Sequence, residues 1–241
     1  MPEPIKILFL ASNPTDISRI RLDEELREID ERISLGSHRD RFELIPHFAV
    51  RPRDLTRGLL KHQPHILHFS GHGSTSAGIV LEDNNGKTKV VAAADIAELL
   101  SIIKDNLRVV VLNSCYSALQ ASGITESIDC AIGMNDKIGD RSAIIFSATF
   151  YESLAFGRSV YEAFKLGVVQ LKTEGAAGAT TPTLLTKQGV DLGKVYLASN
   201  EKVSSAPEKP VNPPPPGQTV SIDVGGQVQS NGPVSITGIT N

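Results

Sequence analysis

What most constrains the fold is the order in which two kinds of segment follow one another. Short apolar runs at residues 5–10, 42–45, 66–70, 109–112 and 131–133 alternate with segments whose apolar residues recur at helical spacing. An apolar run of four to eight residues without polar alternation reads as a strand buried on both faces. Leu22, Leu26, Ile29 and Ile33 fall in steps of 4, 3 and 4, one stripe of a helix that Asp16 or Ser18 would cap. Residues 54–62 read as a short helix and 93–106 as another, with Ile96, Leu99, Leu100 and Ile103 on one face; two more are expected between 140 and 174. Residues 78–91 break the alternation and read as a hairpin turning at Asp83-Asn84-Asn85-Gly86. Strands that alternate with helices imply an α/β fold, a mostly parallel sheet with helices on both faces.

Composition removes several functional classes. The net charge of −3 carries no basic excess to attract nucleic acid or a lipid surface. No apolar run is long enough to span a bilayer, and the opening MPEPIKILFLASNP reads as a first buried strand, not a signal peptide. Two cysteines, Cys115 and Cys130, do not make a disulfide scaffold. They fit a reducing cytoplasm, which would also keep a thiol nucleophile reduced.

Two strand ends carry the chemistry. HILHFSGHG (65–73) ends an apolar strand in a tight turn that holds His72, and VVVLNSCYS (109–117) ends the most apolar strand at Cys115. Sites in open α/β sheets gather at the carboxyl ends of strands, so both residues are expected on one edge. The 43 residues between them suffice for a hairpin and a returning helix. A thiol attacks an amide carbonyl when it is thiolate-like or has a base beside it, and histidine serves as base and then as general acid. A helix starting just after Cys115 would lower the thiol pKa. Gly73 has no side chain to block its amide, so its N–H and that of Cys115 are the candidate oxyanion donors. His68 and His72 share a strand face about 13 Å apart at roughly 3.3 Å per residue, so His68 reads as structural and no metal site is expected. Cys130 reads as core. No cofactor is expected, and a GxG without a following GxxG or Lys-Ser/Thr is no phosphate loop.

Taken together, HFSGHG and VVVLNSCYS resemble the peptidases of the caspase-like fold, and within them CHAT domains, the bacterial branch related to caspases and separases. ILFLASNP, the IRLDEELREI helix and the segment 133–157 resemble that family as well, so the resemblance covers roughly residues 5–175. It implies a caspase-like sheet, a His72–Cys115 dyad, an oxyanion hole at Gly73 and endopeptidase activity on protein or peptide substrates. Relatives that cut after Arg or Lys often hold an acid two places before the Cys, where this chain has Asn113. The pocket could instead draw an acid from Asp136 or Asp140, or from Glu82 or Asp83 on the hairpin.

Composition changes near residue 198, dividing the chain into a peptidase domain (1–198), a linker (199–217) and a tail (218–241). The linker holds six prolines, four of them at 213–216, and reads as stiff and extended. Residues 219–241 carry one charge, Asp223, and VSID at 220 recurs as VSIT at 234. Alternating Val/Ile, Gln, Asn and near-zero charge are the signature of a cross-β former. The tail resembles the amyloid signalling motifs that some effector proteins carry at one terminus, which implies self-assembly and a nucleotide-binding oligomerising receptor with a matching motif. The whole then reads as a clustered cysteine endopeptidase effector of a bacterial defence or regulated-death pathway. The rivals are a non-catalytic adaptor assembled through the tail and a nucleotide-handling α/β domain.

Overall fold

The computed structural model describes residues 3–74 and 78–198, so the Pro-rich linker and the tail lie outside the described residues. The first strand, β1 (Ile5–Ser12), runs along the middle of a parallel sheet and pairs on one side with β2 (Phe42–His47) and on the other with β3 (Ile66–Gly71). Beyond β3 come β7 (Val109–Asn113) and β8 (Cys130–Met134), both parallel, and then β9 (Pro182–Thr186), which is antiparallel to β8. The order β2-β1-β3-β7-β8-β9 is that of a caspase-like α/β sheet.

Burial on both faces explains why the strands read as continuous apolar runs. Ile7, Phe9 and Ala11 of β1 face one layer, made by α1 (Leu22–Ser34), α5 (Asp140–Ala155) and α6 (Val160–Thr173). Leu8 and Leu10 face the other, made by α2 (Pro52–His62), α3 (Ala93–Ile102) and α4 (Ala118–Ile124). β7 divides in the same way, with Val109 and Val111 toward α1 and α5 and Val110 and Leu112 toward the opposite layer. This period of two fixes where each polar residue near a strand end must point.

The hairpin is present as β5 (Gly78–Glu82) and β6 (Thr88–Ala92), and a two-residue β4 (Gly73–Ser74) completes a small antiparallel sheet with them. Neither β4 nor β9 is legible as a strand. β4 has two residues, and β9 opens on a proline and is only partly buried, as suits a sheet edge. α3 stops at Ile102, short of the expected 106, and α2 begins two residues earlier than expected, with Pro52 in its first turn.

Neither expected residue caps α1. Its first residue is Leu22, and Arg21 occupies the cap position with no side-chain cap bond. Asp16 instead accepts the Thr88 N–H at 2.9 Å and its hydroxyl at 3.0 Å, pinning the hairpin to the segment before α1. That segment crosses the carboxyl ends of the strands. Asn13 secures it, donating from Nδ2 to the Ile20 carbonyl at 3.0 Å.

Ile29 of α1 is fully buried against the first face of the sheet, and Leu35 just past the same helix is 62% exposed. Ile29→Ala is expected to lower the unfolding free energy by about 2–5 kcal/mol, and Leu35→Ala by less than about 0.5 kcal/mol, in urea melts followed by circular dichroism.

Candidate active site

β3 and β7 pair in register with Ser70 opposite Asn113. His72 and Cys115 each lie two residues further on, so the parallel ladder delivers both to the same level of the carboxyl edge. Beyond β3 the chain passes through Gly71-His72-Gly73 into β4, and the Val80 N–H donates to the His72 carbonyl at 3.1 Å. Antiparallel pairs alternate between bonded and non-bonded, so the Gly73 N–H turns away from β5. A Cβ at position 73 would come within 1.8 Å of the Cys115 carbonyl oxygen and 3.0 Å of its nitrogen. Only glycine lets the two backbones approach so closely.

Beyond β7 the chain turns sharply. Ser114 N–H donates to the Leu112 carbonyl at 3.0 Å, and Tyr116 takes a left-handed conformation with φ of 58°. Such backbone costs on the order of 1–3 kcal/mol and is held here by its surroundings. Ser117 Oγ donates to the Leu112 carbonyl at 2.7 Å and accepts the Met134 N–H at 2.9 Å, tying the turn to β8. The helix expected just after Cys115 begins only at Ala118, because Tyr116 breaks the path. The thiol is therefore not seated on a helix N-terminus.

His72 and Cys115 are both half-buried. His72 Nε2 lies 2.7 Å from the Ser18 carbonyl oxygen. A carbonyl only accepts, so Nε2 carries a proton, and the lone pair of the neutral ring is on Nδ1. The Cys115 thiol rests 3.8 Å from the Ile138 carbonyl, a weak S–H donor contact. Among the described residues the Cys115 N–H has no acceptor. Two cavities meet at the pair. One is a narrow slot of about 60 Å³ with Ile20, Leu22, Ile138 and Ile144 in its walls; the other is a wider groove toward the hairpin, past Ile17, Tyr116, Val80 and Val90. His72 and Cys115 line both.

The slot ends on a buried polar cluster. His68, Ser70 and Asn113 share the face toward α1 and α5, and α1 brings Glu25 to meet them. His68 Nε2 is 3.1 Å from Glu25 Oε1, Asn113 Nδ2 donates to the same oxygen at 2.6 Å, and Ser70 Oγ donates to Oε2. His68 Nδ1 meets the Tyr151 hydroxyl of α5 at 3.1 Å. Burial pushes the Glu25 carboxyl up, but the hydrogen bond and charge attraction from His68, with the hydrogen bonds from Ser70 and Asn113, outweigh it and hold the group below the ordinary carboxylate range. Burial raises the Tyr151 phenol well above its ordinary value.

The family profile described as CHAT domain matches residues 20–174, well over half of the chain and including both strand ends. This chain belongs to the CHAT family. It is 30% identical over 156 residues to a Roc-COR-CHAT protease of an unknown prokaryotic organism, covering 62% of this chain and 15% of that protein. It is 29% identical over 156 residues to a probable protease of Gillisia limnaea (strain DSM 15749 / LMG 21470 / R-8282), covering 63% and 27%. The chain thus spans under a third of either relative. Among solved structures, a secreted C11 cysteine protease of Bacteroides thetaiotaomicron matches with a TM-score of 0.55 at 12% identity, over 76% of this chain and 66% of that one. Caspase-1 from Spodoptera frugiperda matches with a TM-score of 0.52 at 8% identity, over 78% and 92%. At these identities the structural likeness concerns the fold.

In the CHAT domain, Asn113 and Asp140 line the slot, and Glu82, Asp83 and Asp136 do not. Glu82 accepts the Asn13 N–H at 3.1 Å, Asp83 holds its own turn through the Asn85 and Lys87 N–H groups, and Asp136 accepts the Lys137 N–H. Asp140 accepts the Arg21 N–H at 3.3 Å and lies 3.8 Å from its guanidinium. His68 is a fully buried structural residue, and no group of three or more His, Cys, Asp or Glu among the described residues is placed to hold a metal ion. Three participants escape the sequence reading. Ser18 acts through a backbone carbonyl, which no side chain advertises. Tyr151 lies among other apolar positions of α5. Glu25 left a signal: it falls three residues after Leu22, on the otherwise apolar stripe of α1.

The two thiols differ in access. Cys130 is fully buried, and burial pushes its pKa up to about 12, keeping it protonated across the working range. Iodoacetamide at pH 8 is expected to alkylate Cys115 in the native protein and to spare Cys130 until denaturant is added, as read by intact mass.

Proposed function

We propose that this CHAT domain is a cysteine endopeptidase in which Cys115 is the nucleophile and His72 the general base, cutting after a basic residue. The observation that carries it is the in-register arrival of His72 and Cys115 at the junction of the slot and the groove. An extended peptide in the groove would send one side chain into the slot. His72 Nδ1 takes the thiol proton, and the thiolate adds to the carbonyl carbon. The Gly73 and Cys115 N–H groups stabilise the oxyanion. Collapse of the adduct breaks the C–N bond, and His72 returns its proton to the departing amine. Water, deprotonated by His72, then hydrolyses the thioester and releases the acid and the thiol. The carbonyl of Ser18 orients the imidazole throughout and favours the cation that forms on it. An acid that lines the slot, Glu25, supports the basic specificity.

Fluorogenic peptides varied at the residue before the scissile bond test this reading. The wild type is expected to cleave those with Arg or Lys, and Cys115→Ala and His72→Ala to lose at least about 10³-fold in kcat/KM. Cleavage surviving in Cys115→Ala would overturn it.

The domain then acts as an effector of a cytoplasmic bacterial defence or death pathway, clustered through residues 219–241 by a nucleotide-binding oligomerising receptor. What supports this is the VSID/VSIT near-repeat and the charge-poor, β-prone composition of that segment. The linker would hold the domains at high local concentration. Addition of pre-aggregated 219–241 peptide is expected to raise peptidase activity at least about fivefold over a scrambled peptide. A tail peptide that stays monomeric at high concentration would sink the clustering step.

A further inference from the structure

The slot beside the catalytic pair ends on a buried carboxylate whose one ion-pair contact among the described residues is a histidine ring, His68 Nε2 at 3.1 Å. Glu25 is 3% exposed, and its carboxylate is held by hydrogen bonds from His68, Ser70 and Asn113. The Tyr151 O–H needs an acceptor, and its one acceptor among the described residues is His68 Nδ1. With that hydroxyl donating to Nδ1, a proton of the ring is on Nε2 and points at Glu25. Ser70 and Asn113 bring hydrogen bonds and no charge. Among the described residues no Lys or Arg pairs with Glu25, whereas Arg21 already compensates Asp140 on the rim. A buried carboxylate without a lysine or arginine partner is costly, even when fully hydrogen-bonded.

The same place has more acceptors than donors. Asn113 Nδ2 faces three oxygens, Glu25 Oε1, Ser147 Oγ at 3.0 Å and the Ala143 carbonyl at 3.4 Å, which fixes the orientation of the amide. Among the described residues its Oδ1 is then buried with no partner, and Ser114 Oγ is in the same condition. Both residues line the slot with Glu25, between apolar walls. A guanidinium has five N–H donors on a flat, weakly hydrated body that packs between such walls and can serve several acceptors at once.

We infer that Glu25 is the specificity-determining residue of this domain, its carboxylate receiving the guanidinium of an arginine before the scissile bond while Asn113 Oδ1 and Ser114 Oγ take further N–H groups. The inference rests on the peptidase reading and deepens it. Charge is read by α1, from a position remote in sequence from the dyad, and not by the acids of the 136–140 segment or the hairpin. An ammonium has three donors from one point and satisfies fewer of these acceptors, so arginine is preferred to lysine.

The test uses the full chain and three peptides that differ only before the scissile bond, in arginine, lysine or citrulline. Citrulline keeps the shape of arginine and lacks its charge. The wild type is expected to favour arginine over citrulline by about 100-fold or more in kcat/KM, with lysine between. Glu25→Gln is expected to cut the arginine-to-citrulline ratio at least about tenfold, chiefly through the KM of the arginine peptide. Asp30→Asn removes the same charge from the exposed face of α1 and is expected to leave the ratio in place. Because the ratio is taken within one preparation, a reduced folded fraction does not affect it. Should Glu25→Gln fail to fold, Glu25→Asp withdraws the charge by one methylene and is expected to lower the ratio about threefold or more. An unchanged ratio in the folded variant, or equal cleavage of arginine and citrulline peptides by the wild type, overturns the role of Glu25 and leaves the peptidase standing. A wild type that cleaves none of the three overturns both.

Discussion

β3 and β7 hydrogen-bond in parallel with Ser70 opposite Asn113, and the site follows from that register. The pairing ends at Ser70 and Asn113, and His72 and Cys115, each two residues further on, line the same two cavities at the carboxyl edge. A slip of one residue in either strand would send its side chain to the opposite layer. The apolar residues flanking the pair, Leu67 and Phe69 on one strand and Val110 and Leu112 on the other, are all buried against the α2–α4 layer and resist such a slip.

The same alternation gives the α1–α5 face its polar end. His68, Ser70 and Asn113 cannot avoid pointing there, and α1 answers them with Glu25 on what is otherwise an apolar stripe. One carboxylate thereby links α1 to β3 and β7, and through His68 and Tyr151 to α5. Removing one partner from a buried charged cluster typically costs about 3–5 kcal/mol, so the cluster fixes the relative positions of the elements that carry the slot. The carboxylate that ties these elements together also lines the slot beside His72 and Cys115.

The two turns beyond the strands solve a packing problem of their own. Gly73 lets the backbone after His72 pass against the carbonyl of Cys115, and the left-handed Tyr116 takes the chain away before α4 can form. Among the described residues the N–H groups of Gly73 and Cys115 are left uncommitted by these paths.

The sequence by itself determined the alternation of strands and helices, the two apolar faces, the hairpin and the two strand ends bearing His72 and Cys115. All of these are written in local periodicity, because burial on both faces demands continuous apolar runs and one-sided burial demands helical stripes. Tertiary structure decided the rest. Asp16 and Ser18 look like helix caps in isolation, but the chain before α1 is drawn across the strand ends, where Asp16 holds the hairpin and the Ser18 carbonyl orients His72. Which acids line the slot was equally hidden: Asp136, Glu82 and Asp83 lie close to the motifs in sequence and stay outside it, whereas the distant Glu25 lines it. Its place depends on how α1 packs across β3 and β7, a long-range contact that no local pattern encodes.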